Sequence, residues 1–285
     1  MNELPGRSCP SFDATPRVDL WCACPADIDD PRLLHAYRAL LSEAERERQD
    51  RFLFARDRHR DLVTRALVRI VLSRYADLAP EAWRFVPNRY GRPGIANPAA
   101  GLRDLSFNIT HGGARVIVAV ARGIQVGVDT ESIAARPAPL AIAERYFSRD
   151  EAEALEALPA ALRQQRFYET WTLKEAYVKA RSMGMWLPFE QVAFHFEGER
   201  HVRLVLGASL GDSASRWQLS QLWPDDEHVV SVCAGCGADT MPSLHATAIV
   251  PWVSEAPLGF RLARSSTAAA MPAQAQAGRT SVRSK

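Results

Sequence analysis

"LSFNITHGGARVIVAVARGIQVGVDTES" runs from Leu105 to Ser132. It holds three strand-like runs separated by Gly-containing turns. The last run, "VGVDTE" (Val126 to Glu131), shows what a strand here would do. Val126, Val128 and Thr130 face one way, and Gly127, Asp129 and Glu131 the other. The second face sets two carboxylates two residues apart beside a glycine. They repel unless a cation lies between them. Hard oxygen donors of that kind suit Mg²⁺, which takes few protein ligands and completes its shell with water and phosphate oxygens. The plainer alternative is a strand running out into an exposed turn.

Helical patterns lie on both sides of this stretch. Upstream, "VDLWCACP" alternates as a strand, and "PRLLHAYRALLSEAERERQDRFLF" has helical periodicity with a break near Leu41-Ser42. "RHRDLVTRALVRIVLSRYA" (Arg58 to Ala76) then carries an apolar stripe of Leu62, Ala66, Leu67, Ile70 and Val71. Downstream, "LAIAERYFSRDEAEALEAL" is helical, with Ser148 and Glu151 spaced as a capping box. "LRQQRFYETWTLKEAYVKARSMG" predicts a long helix stopped at Gly184. Four strand-like runs follow: "VAFHFEG", "HVRLVLG", "WQLSQLW" and "HVVSVCA".

The pattern predicts an α+β protein of two similar halves, each with helices on a mainly antiparallel sheet. The expected division is an arm at 1–16, halves at 17–124 and 125–240, and an extension at 241–285. From about residue 263 the extension is rich in Ala, Ser and Gln and is expected to be disordered.

Composition excludes several function classes. Of 285 residues, 47% are hydrophobic and 24% charged, with a net charge of only +2. That balance does not suit a nucleic-acid binder. No segment approaches the roughly 18 consecutive apolar residues that span a bilayer, and the N-terminus lacks a signal-peptide core. Cys9, Cys22, Cys24, Cys233 and Cys236 are odd in number and without framework spacing. The expectation is a cytoplasmic chain without disulfides.

Three motifs carry chemistry. "FNITHGG" (Phe107 to Gly113) ends a strand in a hydroxyl, an imidazole and open backbone N–H groups, which are phosphate-binding materials. "YGRPG" (Tyr90 to Gly94) presents an arginine on a turn. "WTLKEAYVK" (Trp171 to Lys179) adds Glu175 as a third carboxylate and Lys174 and Lys179 as cations. Taken alone, Glu175 and Lys179 form an ordinary i,i+4 pair.

The ordered set Arg60, "GRP", "FNITH", "GVDTE", "YFSRDE" and "WTLKEAYVK" resembles the 4′-phosphopantetheinyl transferases, in the surfactin-synthetase-activating type. The resemblance covers about Ser42 to Phe196 and continues more weakly to Cys233. It implies two fused pseudo-symmetric halves with the site at their interface, in a monomer. It also implies transfer of the phosphopantetheine arm of coenzyme A to a serine of an apo acyl or peptidyl carrier protein, releasing adenosine 3′,5′-bisphosphate. In those terms Asp129, Glu131 and Glu175 hold Mg²⁺. Lys179 neutralises phosphate charge, and Glu175 or Glu151 takes the serine proton. Thr110, His111, Arg60, Arg92, Arg48 and Lys174 contact the coenzyme. The chain departs from the family pattern at Glu45, where relatives often carry a lysine and Arg46 is the neighbouring cation, at Thr110, where a serine is usual and the hydroxyl is kept, and at Arg92, where a lysine is usual and the arginine keeps the charge but can bind in a fork. Two rival readings are a coenzyme A- or carrier-binding module without catalysis, and an unrelated Mg²⁺ phosphohydrolase.

Overall fold

The computed structural model describes residues 15–98 and 100–266. Most of the expected N-terminal arm, and the chain beyond 266, lie outside the described residues.

In the first half, β1 (Arg17–Ala23) leads to α1 (Pro31–Ala39), α2 (Glu43–Asp50) and the long α3 (Ala55–Leu72). A hairpin, β2 (Phe85–Pro87) and β3 (Pro93–Ile95), precedes β4 (Leu105–Gly112) and β5 (Arg115–Arg122). In the second half, β6 (Val126–Ser132) is followed by α4 (Leu140–Tyr146), α5 (Arg149–Glu156) and α6 (Ala160–Ala180). Strands β7 (Val192–Glu197), β8 (His201–Leu206), β9 (Gln218–Trp223) and β10 (His228–Ala234) come next. The extension supplies β11 (Ser243–Val250), β12 (Ser254–Pro257) and β13 (Arg261–Ser265).

Local chemistry sets the helix ends. Ser42 and Ser148 each accept a hydrogen bond from the backbone N–H three residues on, while Glu45 and Glu151 reach back to the cap N–H. These two capping boxes start α2 and α5. The first also explains the break at Leu41-Ser42. Helix α6 ends at Ala180, four residues before the expected stop at Gly184. The left-handed turn that ends it falls on Ser182, at φ 58°.

Two sheets form. One runs β12-β11-β1-β5-β4 and the other β6-β10-β9-β13-β8-β7. Pairing is mainly antiparallel, apart from β1 with β11 and one bridge between β13 and β8. Strand alternation produces four layers. Val116, Val118 and Val120 of β5 pack under α1 and α3, while Ile117, Ala119 and Ala121 meet Val126, Val128, Val230 and Val232 of the other sheet. The outer face of that sheet carries α6, through Leu173, Ala176, Tyr177 and Ala180. Trp171 packs among Tyr146, Phe167 and Phe189 as an aromatic anchor for the helix. Among the described residues, no helix is long and apolar enough to cross a membrane.

The C-terminal extension differs from expectation. Disorder was expected from about 263, yet Arg261–Ser265 is a strand inserted between β9 and β8. Its short length hides it: Leu262 and Ala263 pack against the core, and ladder bonds to β9 and polar contacts hold the rest. Arg264 donates to Gln221 and pairs with the buried Glu169 of α6, both at 3.0 Å.

Candidate active site

Edge strands β4 and β6 meet where the two sheets come together, and two glycines allow the approach. A Cβ at Gly127 would lie 2.0 Å from the carbonyl oxygen of Ala176, so β6 can rest directly on α6. A Cβ at Gly112 would lie 2.0 Å from the carbonyl oxygen of Thr130, so β4 closes on β6. Asn108 fastens the second contact: its buried Oδ1 accepts from the Val128 N–H at 2.9 Å.

This packing assembles one cluster from three elements. The buried Asp129 carboxylate accepts from the Thr110 hydroxyl at 2.8 Å and from the Lys179 ammonium at 2.5 Å. Lys179 also donates to the Thr110 oxygen at 3.1 Å. Glu175 lies one turn before Lys179 on α6, and Glu131 follows Asp129 on the same strand face. Burial, then the negative charge of Asp129, pushes both the Glu131 and the Glu175 carboxyls up to about 7; Glu131 further raises Glu175, and Lys179 opposes the shift in each. Among the described residues, no three acidic, His or Cys side chains already form a closed metal cage. The donor set is nonetheless oxygen-only, with one ammonium against three carboxylates. Such an arrangement favours an added hard cation.

Other basic side chains expected at the site lie on β4, α3 and α2. His111 stands at the surface end of β4, where the surrounding protein still takes part of the water from its ring; that desolvation first, then the charge of Arg60 and of Lys179, holds its pKa below the ordinary value. Arg60 is half-buried and pairs with Asp57 at 3.0 Å. Arg48 is exposed on α2.

The structure thus brings together Thr110, Asp129, Glu131, Glu175 and Lys179, with His111 and Arg60 alongside. Three other expected site residues are placed differently. Lys174 is fully buried and turns toward α5 and β7, pairing with Glu151 at 2.7 Å and donating to the carbonyls of Phe189 and Val192. Glu151 is equally engaged: Oε2 takes the Ser148 N–H and Lys174, and Oε1 takes the Phe194 N–H at 2.8 Å. Neither faces the cluster: the expected coenzyme contact Lys174 and the expected alternative base Glu151 form a buried ion pair with each other. Arg92 also departs from expectation. Its guanidinium is directed at the carbonyls of Phe107, Val126 and Lys179 rather than outward.

Glu45 has a structural task as well. It closes the α2 capping box and pairs with Arg65 at 2.6 Å and Arg69 at 2.5 Å. Arg46 donates to the Leu41 carbonyl at 2.9 Å. Sequence reasoning missed Asn108, although its place in "FNITH", two residues before Thr110 on the same strand face, was the available signal. No local signal pointed to Arg264 and Glu169.

Comparison with known proteins bears on the whole assembly. A family model described as the 4′-phosphopantetheinyl transferase superfamily matches residues 125–233. A second, for the N-terminal part of 4′-phosphopantetheinyl transferases, matches residues 30–122. The Bacillus subtilis 4′-phosphopantetheinyl transferase Sfp is 32% identical over 200 residues, covering 70% of this chain and 84% of that protein. The chain belongs to the 4′-phosphopantetheinyl transferase superfamily. Another relative, 4′-phosphopantetheinyl transferase HetI of Nostoc, is 31% identical over 221 residues, covering 77% of this chain and 89% of the relative. Among solved structures, Thermotoga maritima holo-[acyl-carrier-protein] synthase aligns at 20% identity over 40% of this chain and 63% of its own, with a TM-score of 0.32. The cluster draws on both matched parts of this superfamily member. Thr110 and His111 come from the N-terminal match, and Asp129, Glu131, Glu175 and Lys179 from the other.

Proposed function

We propose that this protein transfers the 4′-phosphopantetheine arm of coenzyme A to a serine of an acyl or peptidyl carrier protein, with adenosine 3′,5′-bisphosphate as the leaving group. One observation carries the reading. Thr110, Asp129 and Lys179 share a hydrogen-bonded cluster, with two further carboxylates beside it, at the seam between the two family-matched parts.

The residues fit a resident Mg²⁺, which Asp129, Glu131 and Glu175 would hold. When bound, Mg²⁺ supplies neutralisation of pyrophosphate charge. The rest is work for the chain's own side chains. A serine hydroxyl is a poor nucleophile and needs a base. Glu175 takes that proton in this reading, because both oxygens of Glu151 are already engaged. The serine oxygen bonds to the phosphorus of the pantetheine phosphate as the pyrophosphate P–O bond breaks. Lys179 stabilises the charge on the departing bisphosphate. Arg60 and the neutral imidazole of His111 would receive the 3′-phosphate by charge and by hydrogen bonding, and Arg48 on α2 would add a further cation. Since one chain supplies both sides of the seam, the active unit in this reading is a monomer, working in the cytoplasm where its coenzyme and carrier meet.

Mass spectrometry of a panel of apo-carriers after incubation with coenzyme A and Mg²⁺ tests the proposal. The expected result is the gain of one phosphopantetheine on at least one carrier class, with release of the bisphosphate. Coenzyme A binding without such a gain on any carrier would favour the non-catalytic module instead.

A further inference from the structure

We propose that Arg92 is a positioning residue that sets the geometry of the Asp129–Thr110–Lys179 cluster, and not a contact to the nucleotide of the coenzyme. The inference rests on the functional reading above.

Its two terminal nitrogens fan out to three elements. Nη1 donates to the carbonyl of Lys179 and to the Ser182 hydroxyl at 2.6 Å. Nη2 donates to the carbonyls of Phe107 at 2.6 Å and Val126 at 3.2 Å. These acceptors have a regular relation to the cluster. Phe107 precedes Thr110 by three residues on β4, Val126 precedes Asp129 by three on β6, and Lys179 is itself a cluster member. One planar group therefore ties together every element that contributes to the hydrogen-bonded cluster. A fork with fixed geometry does this; an ammonium, as a point charge on a flexible stem, does not.

The surroundings hold the fork in place. Asn88 Oδ1 accepts from the N–H groups of Tyr90 at 2.9 Å and Arg92 at 3.0 Å, which shapes the turn that delivers the side chain. Asn88 Nδ2 reaches the Ser182 carbonyl at 2.8 Å. Ser182, at φ 58°, is one of two non-glycine residues with positive φ among the described residues. A serine in this region is strained unless its neighbours fix it. Asn88 grips its carbonyl and Arg92 its hydroxyl, so the end of α6 is locked just past Lys179. Burial brings the Arg92 guanidinium down to about 10, which still leaves it charged at neutral pH. A buried charge of this kind is stable only while its acceptors stay in place.

Steady-state kinetics of Arg92→Lys separate the two roles. A positioning fork predicts that kcat falls by on the order of tenfold to a hundredfold, as misplacement of reacting groups does, while KM for coenzyme A stays within about twofold. Guanidinium ion added to Arg92→Ala is expected to restore part of kcat. Ser182→Ala, which keeps the fork but removes one acceptor, is expected to lower kcat less, again at constant KM. It decides the matter if the Arg92 variants do not fold. Wild-type kcat in Arg92→Lys, or a rise in KM for coenzyme A at unchanged kcat, would overturn the inference. So would unchanged kcat in Ser182→Ala when the Arg92 variants are unfolded. If wild-type protein modifies no carrier, the functional reading falls with it. If wild type is active, Lys179→Ala is inactive and Arg92→Lys is normal, only the positioning role falls.

Discussion

Helix α6 carries two lysine–carboxylate pairs of nearly equal length, 2.7 Å for Lys174–Glu151 and 2.5 Å for Lys179–Asp129. Distance does not tell them apart, but surroundings do. The Lys174 side chain is wholly buried and faces one carboxylate and two carbonyls, so its charge is balanced and its donors are used. Lys179 remains 26% exposed and faces a region with three carboxylates. The first pair is closed and holds the fold together. The second is open and leaves negative charge unbalanced, which is the condition for taking up a cation and a phosphate.

Breaking the open pair has the largest expected effect on function. Asp129→Ala is expected to lower carrier modification by about a hundredfold to a thousandfold, the scale seen when one preorganised electrostatic group is removed from an active site. The fold is expected to persist, because Lys179 stays solvated and Glu131 and Glu175 lose a repelling neighbour. A circular-dichroism melt and a coenzyme A transfer assay check both halves of this statement. Chelation of divalent metal is expected to mimic the transfer loss in wild type and to be reversed by added Mg²⁺.

The closed pair predicts the opposite division. Lys174→Met leaves the Glu151 carboxylate buried without its cation and is expected to cost about 3–5 kcal/mol of stability in urea titration. Adding Glu151→Gln removes that charge and keeps one acceptor, enough for the Ser148 N–H of the capping box but not also for the Phe194 N–H, so only part of the stability is expected to return. Where the variants are folded, transfer is expected to change only a few-fold. A loss as deep as that of Asp129→Ala would place Lys174 in the catalytic machinery instead.

The two regions also differ in their response to pH. Glu131 and Glu175, pushed up to about 7 by burial and by Asp129, hold protons in the native state that the unfolded chain releases near the ordinary carboxyl value. The native state then binds more protons between those values, so stability of the metal-free protein is expected to fall as pH rises from about 5 to 7. Glu131→Gln is expected to flatten this slope in thermal melts, and so is saturating Mg²⁺. A metal-free melting temperature that rises over that window would contradict the crowded-carboxylate picture.

The contrast also marks what the chain discloses before it folds. Asp129 and Glu131 share a face by strand alternation alone, and Glu175 and Lys179 share a helix side by i,i+4 spacing, so these four were legible. Lys174 stands one residue from Glu175, yet a turn of about 100° sends it toward α5 and β7, whose positions depend on long-range packing. Glu151 was legible as a capping residue through Ser148, and that same reading accounts for one of its oxygens. Strand β13 was not legible, because Arg264 becomes structural only when Glu169, nearly a hundred residues earlier, is beside it. Arg92 appeared as an exposed turn residue, and only the meeting of β4, β6 and α6 supplies its acceptors.

The finest distinction concerns the hydroxyl shared by the open pair. Thr110 Oγ1 donates to Asp129 and accepts from Lys179, so it fixes the two charges relative to one another. Thr110→Ser keeps that oxygen and is expected to stay within about threefold of wild type, since only a methyl group changes. Thr110→Val keeps the shape but removes both hydrogen bonds. A hydrogen bond to a charged group contributes about 1.5–3 kcal/mol, and part of this is recovered when Lys179 and Asp129 contact each other directly. The expected loss in kcat is therefore about tenfold, well short of that in Asp129→Ala. Equal activity in Val and Ser variants would mean that the Lys179–Asp129 contact alone sets the geometry, and that the hydroxyl only fills space between β4 and β6.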